Sequence, residues 1–220
     1  SMKNLGNLVY KELRLALWSL TWPFLIMAAL LLAPNYPSIV AVFYCLLSIL
    51  NTFRMITVNK DNDFTMSLPV PRTHIVLAKH LSVAIIEVSQ LIVAIPFALY
   101  ADLVMRPQGN LVGMDANFAF FGFCLVSFAV FNLLFLPAFF KTAYKTGLPS
   151  LLGFLGFGLS YLALELAISI LPPGRHYFDS LNPATFPYQL AVLCVGILFF
   201  TGAFFVSYKF SVKHFEKVSL

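Results

Sequence analysis

The sequence predicts an all-α polytopic membrane protein with six transmembrane helices, an N-terminal interfacial helix and both termini on the cytoplasmic side. Three observations carry that expectation. Of the 220 residues, 60% are hydrophobic and only 10% are charged, whereas a soluble domain carries about a quarter charged residues. The apolar residues fall in repeated runs long enough to cross a hydrocarbon core of about 30 Å as helices, and they lack the short alternation of a membrane barrel. The basic residues collect in alternate connections, which sets one orientation. These features argue against a soluble lipid carrier, and residues 1–220 read as one transmembrane domain.

Ser1 and Met2 read as an expression remnant ahead of the natural start, and no small-residue cleavage site follows the first apolar run. Residues 3–17 form an amphipathic pattern. Leu5, Leu8, Val9, Leu13 and Ala16 share one face, while Asn4, Asn7, Lys11 and Arg14 share the other. Such a helix lies in the inner membrane interface. Glu12 falls near the rim of the apolar stripe and reads as an ordinary interfacial carboxylate, with pairing to a basic neighbour as the alternative.

Six spans follow, at residues 17–33, 39–55, 81–101, 118–140, 148–171 and 188–208. Each can cross at about 1.5 Å per residue, the first two at the short end. Trp18 and Trp22 near the first span, and Tyr177, Tyr188 and Tyr208 around the last, suit interface anchoring. Residues 34–38 make a tight Pro-rich hairpin, and residues 102–117 and 172–187 are longer connections in which short interfacial helices are expected. With the N-terminus inside, twelve of the fourteen Lys and Arg are cytoplasmic, leaving only Arg106 and Arg175 outside. That topology accounts for the basic excess without nucleic acid. Cys45, Cys124 and Cys194 each sit in an apolar run and read as buried small hydrophobes.

Glu87 and Glu165 are candidate intramembrane polar sites, because a carboxylate near the middle of a span faces protein or water. A proton or ion relay is one reading. Polar contacts that order helices, or the lining of an aqueous path, are the other, favoured because no His or basic residue lies in the same spans. Pro23, Pro96 and Pro137 interrupt spans and bend them, which suits gating and ordinary packing alike. Gly153, Gly156 and Gly158 make a smooth face on the fifth span for close helix packing, within the chain or between subunits.

Residues 58–80 are the one internal stretch dense in charge. A short helix is expected over residues 61–68, with Asp61 and Asp63 at its start and Phe64 and Leu68 on one face. Pro69 ends it, and Pro71 sets the start of a second helix running into the third span. A short helix with an exposed aromatic suits a cytoplasmic partner; a solvated connector is the alternative. No phosphate loop, HExxH, GxSxG or clustered Cys and His set occurs, and the four histidines are dispersed. Catalytic, cofactor-binding and metal-binding residues are therefore expected to be none.

Taken together, NLVYKELRLAL at the start, the six spans, NDFTMSLPVPR followed by IVLAKHL, the segment NLVGMDANFAFFGF and the terminal KFSVKHFEKV resemble a permease subunit of the ABC-2 family of ABC exporters. The resemblance covers the whole chain and is greatest to small Firmicute permeases similar to the exporters of staphylococcal phenol-soluble modulins. It implies a homodimer bound to two cytoplasmic ABC ATPases, which hold the ATP and Mg, and export of an amphipathic peptide or hydrophobic compound in contact with lipid. It implies that the loop after the second span supplies a coupling helix, a role falling on Asp61, Asp63, Phe64, Met66 and Leu68 with Arg72 beside them. The family's connecting helix falls on Lys11, Glu12 and Arg14. An ATPase-independent secondary transporter or a receptor component using Glu87 or Glu165 is the alternative.

Overall fold

Nine α-helices order the chain in the computed structural model, which describes residues 2–18 and 21–217. The charge of Lys3 and the anchoring expected of Trp18 concern side chains outside the described residues. Helix α1 (Met2–Trp18) takes up the amphipathic N-terminal stretch. Helix α2 (Thr21–Ile26) follows and tightens into a 3-10 segment, Met27–Leu32. The axes before and after residues 19–20 differ by 73°.

The first expected span is therefore not one continuous crossing helix. Residues 21–32 extend roughly 20 Å, which is short of the hydrocarbon core. Among the described residues, five helices are long and apolar enough to cross, or six if the bent pair is one span. Pro23 is the third described residue of α2.

The five long helices agree with the expected spans and mostly outrun them. They are α3 (Ser38–Val58), α5 (Arg72–Tyr100), α6 (Phe118–Lys141), α7 (Gly147–Ile170) and α9 (Phe186–Glu216). Local chemistry sets their ends. Asn117 caps α6 by accepting a hydrogen bond from the Phe120 N–H at 3.0 Å, and Pro187 falls in the first turn of α9. A π-helical turn, Ala101–Met105, extends α5 beyond Pro96. The rest of the 102–117 connection holds no helix, whereas the second long connection does carry short ones, α8 (Gly174–Phe178) and the 3-10 turn Pro183–Thr185.

Helix α6 is the axis of packing: 72% of its most apolar stretch is buried, against 22% for α7 and 17% for α9. Phe131, Phe135 and Phe139 stack along one side of it at ring separations of 5.0 and 6.0 Å, and Phe53 of α3 inserts edge-on against the last two. Many of the abundant phenylalanines thus build protein core. Gly122 and Gly196 bring α6 and α9 into backbone contact; a Cβ on Gly196 would sit 2.7 Å from the Gly122 carbonyl oxygen. Of the smooth face expected on α7, Gly153 and Gly156 pack on α6 side chains, while Gly158 opens outward with nothing within 4 Å. Cys45 and Cys124 are buried, but Cys194 lies on the exposed side of α9, against expectation.

Candidate functional site

The basic end of the bundle is organised by a short helix and a string of charges. Helix α4 (Asp61–Ser67) forms within the expected limits for local reasons. Lys60 turns the chain with φ 53°, Asp61 and Asp63 face the positive N-terminal end of the helix, and Leu68 is extended ahead of Pro69. Asn62 and Thr65 point inward, Met66 packs partly on the core, and Phe64 stands 59% exposed. Asp63 is exposed and Leu68 half-buried.

Helix α1 holds α4 in place. Lys11 Nζ lies 2.7 Å from Asp61 and donates to the Thr65 hydroxyl. Lys11 also meets Glu12 at 3.3 Å, and Glu12 in turn binds Lys79 of α5 at 3.2 Å. Glu12 and Lys79 are 3% and 1% exposed, so Glu12 sits at the centre of the buried Leu8–Glu12–Ala16 line and not at its rim. It is a paired carboxylate, the alternative in the sequence reading, because an unpaired charge at this depth is too costly. The Lys79 ammonium also lies over the Phe53 ring, 5.6 Å from its centroid. One string of charges therefore joins α4, α1, α5 and α3.

The remaining expected residues of this end lie around that string. Arg72 reaches α9, donating to the Phe215 carbonyl at 3.4 Å with its guanidinium 5.4 Å from the Phe215 ring centroid. Arg14 is exposed and joins neither group. A cleft of about 520 Å³ opens between α1, α3 and α4, lined by Leu15, Met55, Ile56, Asn59, Asp61 and Phe64 among others. Lys79 and Thr65 are the site residues that sequence reasoning missed. The available signal was a lysine set among Ile75, Val76, Ala78 and Val83, which the helix buries.

A second polar group crosses the middle of the bundle. Glu87 is fully buried and accepts a 2.7 Å hydrogen bond from Asn132 Nδ2 of α6. Ser207 of α9 donates to the Asn132 carbonyl at 2.9 Å, and its oxygen lies 3.1 Å from His80 Nε2. His80 Nδ1 donates to the Val76 carbonyl at 2.9 Å. This corrects the expectation that no histidine shares a span with Glu87. Helix α5 begins at Arg72, nine residues before the apolar run that marked the span, so His80 is buried inside it.

Glu165 belongs elsewhere. It lies in the last two turns of α7, not mid-span, and its carboxylate meets the Met114 N–H in the 106–117 connection. Glu87 and Glu165 do not form one site. Glu165 joins a cap of the opposite end, where Asp115 Oδ1 accepts from the Asn110 N–H at 2.5 Å and Asp179 Oδ1 from the Asp115 N–H at 2.9 Å. Among the described residues, no three His, Cys, Asp or Glu side chains gather to hold a metal ion.

The family profile described as an ABC-2 family transporter protein matches residues 7–216, from within α1 to the last residue of α9. The chain belongs to the ABC-2 family. Permease domains of this family are non-catalytic transmembrane transport subunits, and the long apolar helices make this one a multi-pass membrane protein. Comparison with curated proteins gives no match, and comparison with solved structures gives none.

Proposed function

We propose that this ABC-2 permease is the membrane subunit of an ATP-driven exporter and that α4 is its contact with a cytoplasmic ATPase. The observation that carries this proposal is the build of α4 itself. The helix is pinned from behind through Asp61 and Thr65 to Lys11, while Asp63 is exposed and Phe64 stands open to solvent at the rim of the cleft shared with α1 and α3. A helix that is fixed on one side and exposes an aromatic and a carboxylate has the form of a docking element. The basic excess at the same end supports a cytoplasmic position for α4 and both termini, with α1 in the inner interface.

Two such permeases and two ATPases would make the working exporter, with ATP and Mg held by the ATPases. The outward faces of α7 and α9 are apolar and largely uncovered within one chain, which leaves room for a second copy and for lipid. The substrate class proposed is an amphipathic peptide or similar membrane-active compound, as in the Firmicute exporters that the sequence resembles. Glu87 is enclosed by protein and hydrogen-bonded to Asn132, an arrangement that favours a helix-ordering role over a secondary transporter built on that carboxylate.

The test is copurification. Asp61→Lys, Asp63→Lys and Phe64→Ala together are expected to abolish capture of the ATPase encoded beside the permease, with membrane insertion unchanged. A triple variant that still binds the ATPase and exports normally sinks the assignment.

A further inference from the structure

The Glu12–Lys79 ion pair lies away from the exposed surface of α4, yet it completes the string that begins there. Helix α4 is tied covalently to α5 only through residues 68–71, where Leu68 and Pro71 are both extended. A joint of that kind transmits little, because a push on α4 is absorbed by rotation about the extended residues. The ionic string bypasses the joint. It starts in the first turn of α4 at Asp61, passes through Lys11 and Glu12 of α1, and ends at Lys79, two turns inside α5.

We propose that Lys79 and Glu12 are the positioning pair that makes α4, α1 and α5 move as one body, so that a displacement imposed on α4 reaches the membrane-crossing part of α5. This rests on the reading of α4 as the ATPase contact. Three features give the pair that capacity. Both groups are nine-tenths or more buried, so neither is solvated independently if they separate. Lys79 is further held over Phe53 of α3, at the foot of the Phe135 and Phe139 stack. Lys11 bridges Glu12 to Asp61 and Thr65, so α4 has no path of its own away from α1.

The experiment uses the full-length permease in nanodiscs of phosphatidylethanolamine and phosphatidylglycerol, first alone and then with its ATPase. Without the ATPase, Lys79→Met is expected to speed amide exchange in residues 61–67 by roughly 2- to 30-fold, although Lys79 does not touch α4. The charge-swapped pair E12K with K79E is expected to restore slow exchange. If Lys79→Met fails to insert, E12Q with K79M breaks the same link while leaving no unpaired buried charge. Unchanged exchange in α4, with or without loosening of α1, overturns the proposal.

With the ATPase present, the unaltered permease and Lys79→Met are compared at equal amounts of bound ATPase. The ATP-driven displacement of a nitroxide at Leu99, on the far part of α5, is expected to fall. An undiminished displacement also overturns the proposal. Loss of ATPase binding by the unaltered permease would count against the docking role of α4, and the exchange measurement reads the link without it.

Discussion

An ammonium group taken out of water costs several kcal/mol unless it is paired, and Lys79 meets that demand with Glu12 at 3.2 Å and the face of Phe53. Lys79→Ala, which leaves Glu12 buried opposite no cation on α5, is expected to destabilise the permease by about 3–5 kcal/mol. Denaturant unfolding in bicelles would measure it. The glycines inside α6, α7 and α9 give a sharper contrast, since only some of them are confined. Gly196→Ala drives a methyl into the Gly122 carbonyl and is expected to cost about 1–3 kcal/mol as α6 and α9 separate. Gly158→Ala meets nothing within 4 Å and is expected to gain up to about 1 kcal/mol from helix propensity. Equal effects from the two changes, measured by the same unfolding, would show that the contact does not constrain the pair.

Among the elements, those specified by local signals are legible and those specified by distant partners are not. Helix α4 could be bounded from Asp61, Asp63 and Pro69 because an acidic first turn and a proline stop act within a few residues. The pairing of Glu12 with Lys79 spans 67 positions, and no local pattern announces it. Likewise the tightening of α2 into the 3-10 segment Met27–Leu32 is invisible to hydropathy, which registers apolar length and not the hydrogen-bond pattern. The cap formed by the 106–117 connection and α8 is a further element set by distant contacts, and it carries a pH signature. Burial is the largest cause holding the carboxyls of both Asp115 and Asp179 above the ordinary range. Asp179 adds to the rise at Asp115, while the Asn110 N–H and Arg106 oppose it. The Asp115 N–H and Arg175 oppose the rise at Asp179. Asp102 and Glu165 crowd the same cap. The folded cap therefore binds protons more tightly than the unfolded chain. Its stability is full below the ordinary carboxylate range and declines as pH rises through the folded values. A nitroxide on the exposed Leu111 is expected to gain mobility as pH rises, with a shallower slope in Asp115→Asn. A pH-independent signal would refute the coupling.

For the whole molecule, hydropathy and charge speak to class and to the proposed orientation by different physics, and the fold fixes only the class. The long helices must cross because their outward faces, such as Leu198 and Phe205 of α9, have no protein cover within the chain. Which end lies inside depends on where cations are retained during insertion. The fold gathers the cations at one end of the bundle. Lys11, Lys60, Arg72 and Lys79 cluster around α4, and Lys141, Lys145, Lys209, Lys213 and Lys217 flank the ends of α6 and α9 that turn toward it through Arg72 and Phe215. The opposite end holds Asp102, Asp115, Glu165 and Asp179 against Arg106 and Arg175. The two ends thus differ in sign as well as in amount. Single cysteines in a cysteine-free background should therefore divide cleanly. Lys145→Cys is expected to react with an impermeant maleimide only in inverted vesicles, and Leu111→Cys only in right-side-out cells. Labelling in the reverse sense would place α4 on the outer face, where no cytoplasmic ATPase could reach Phe64. The exporter assignment therefore stands or falls with this measurement, since docking needs α4 to be both exposed and inside.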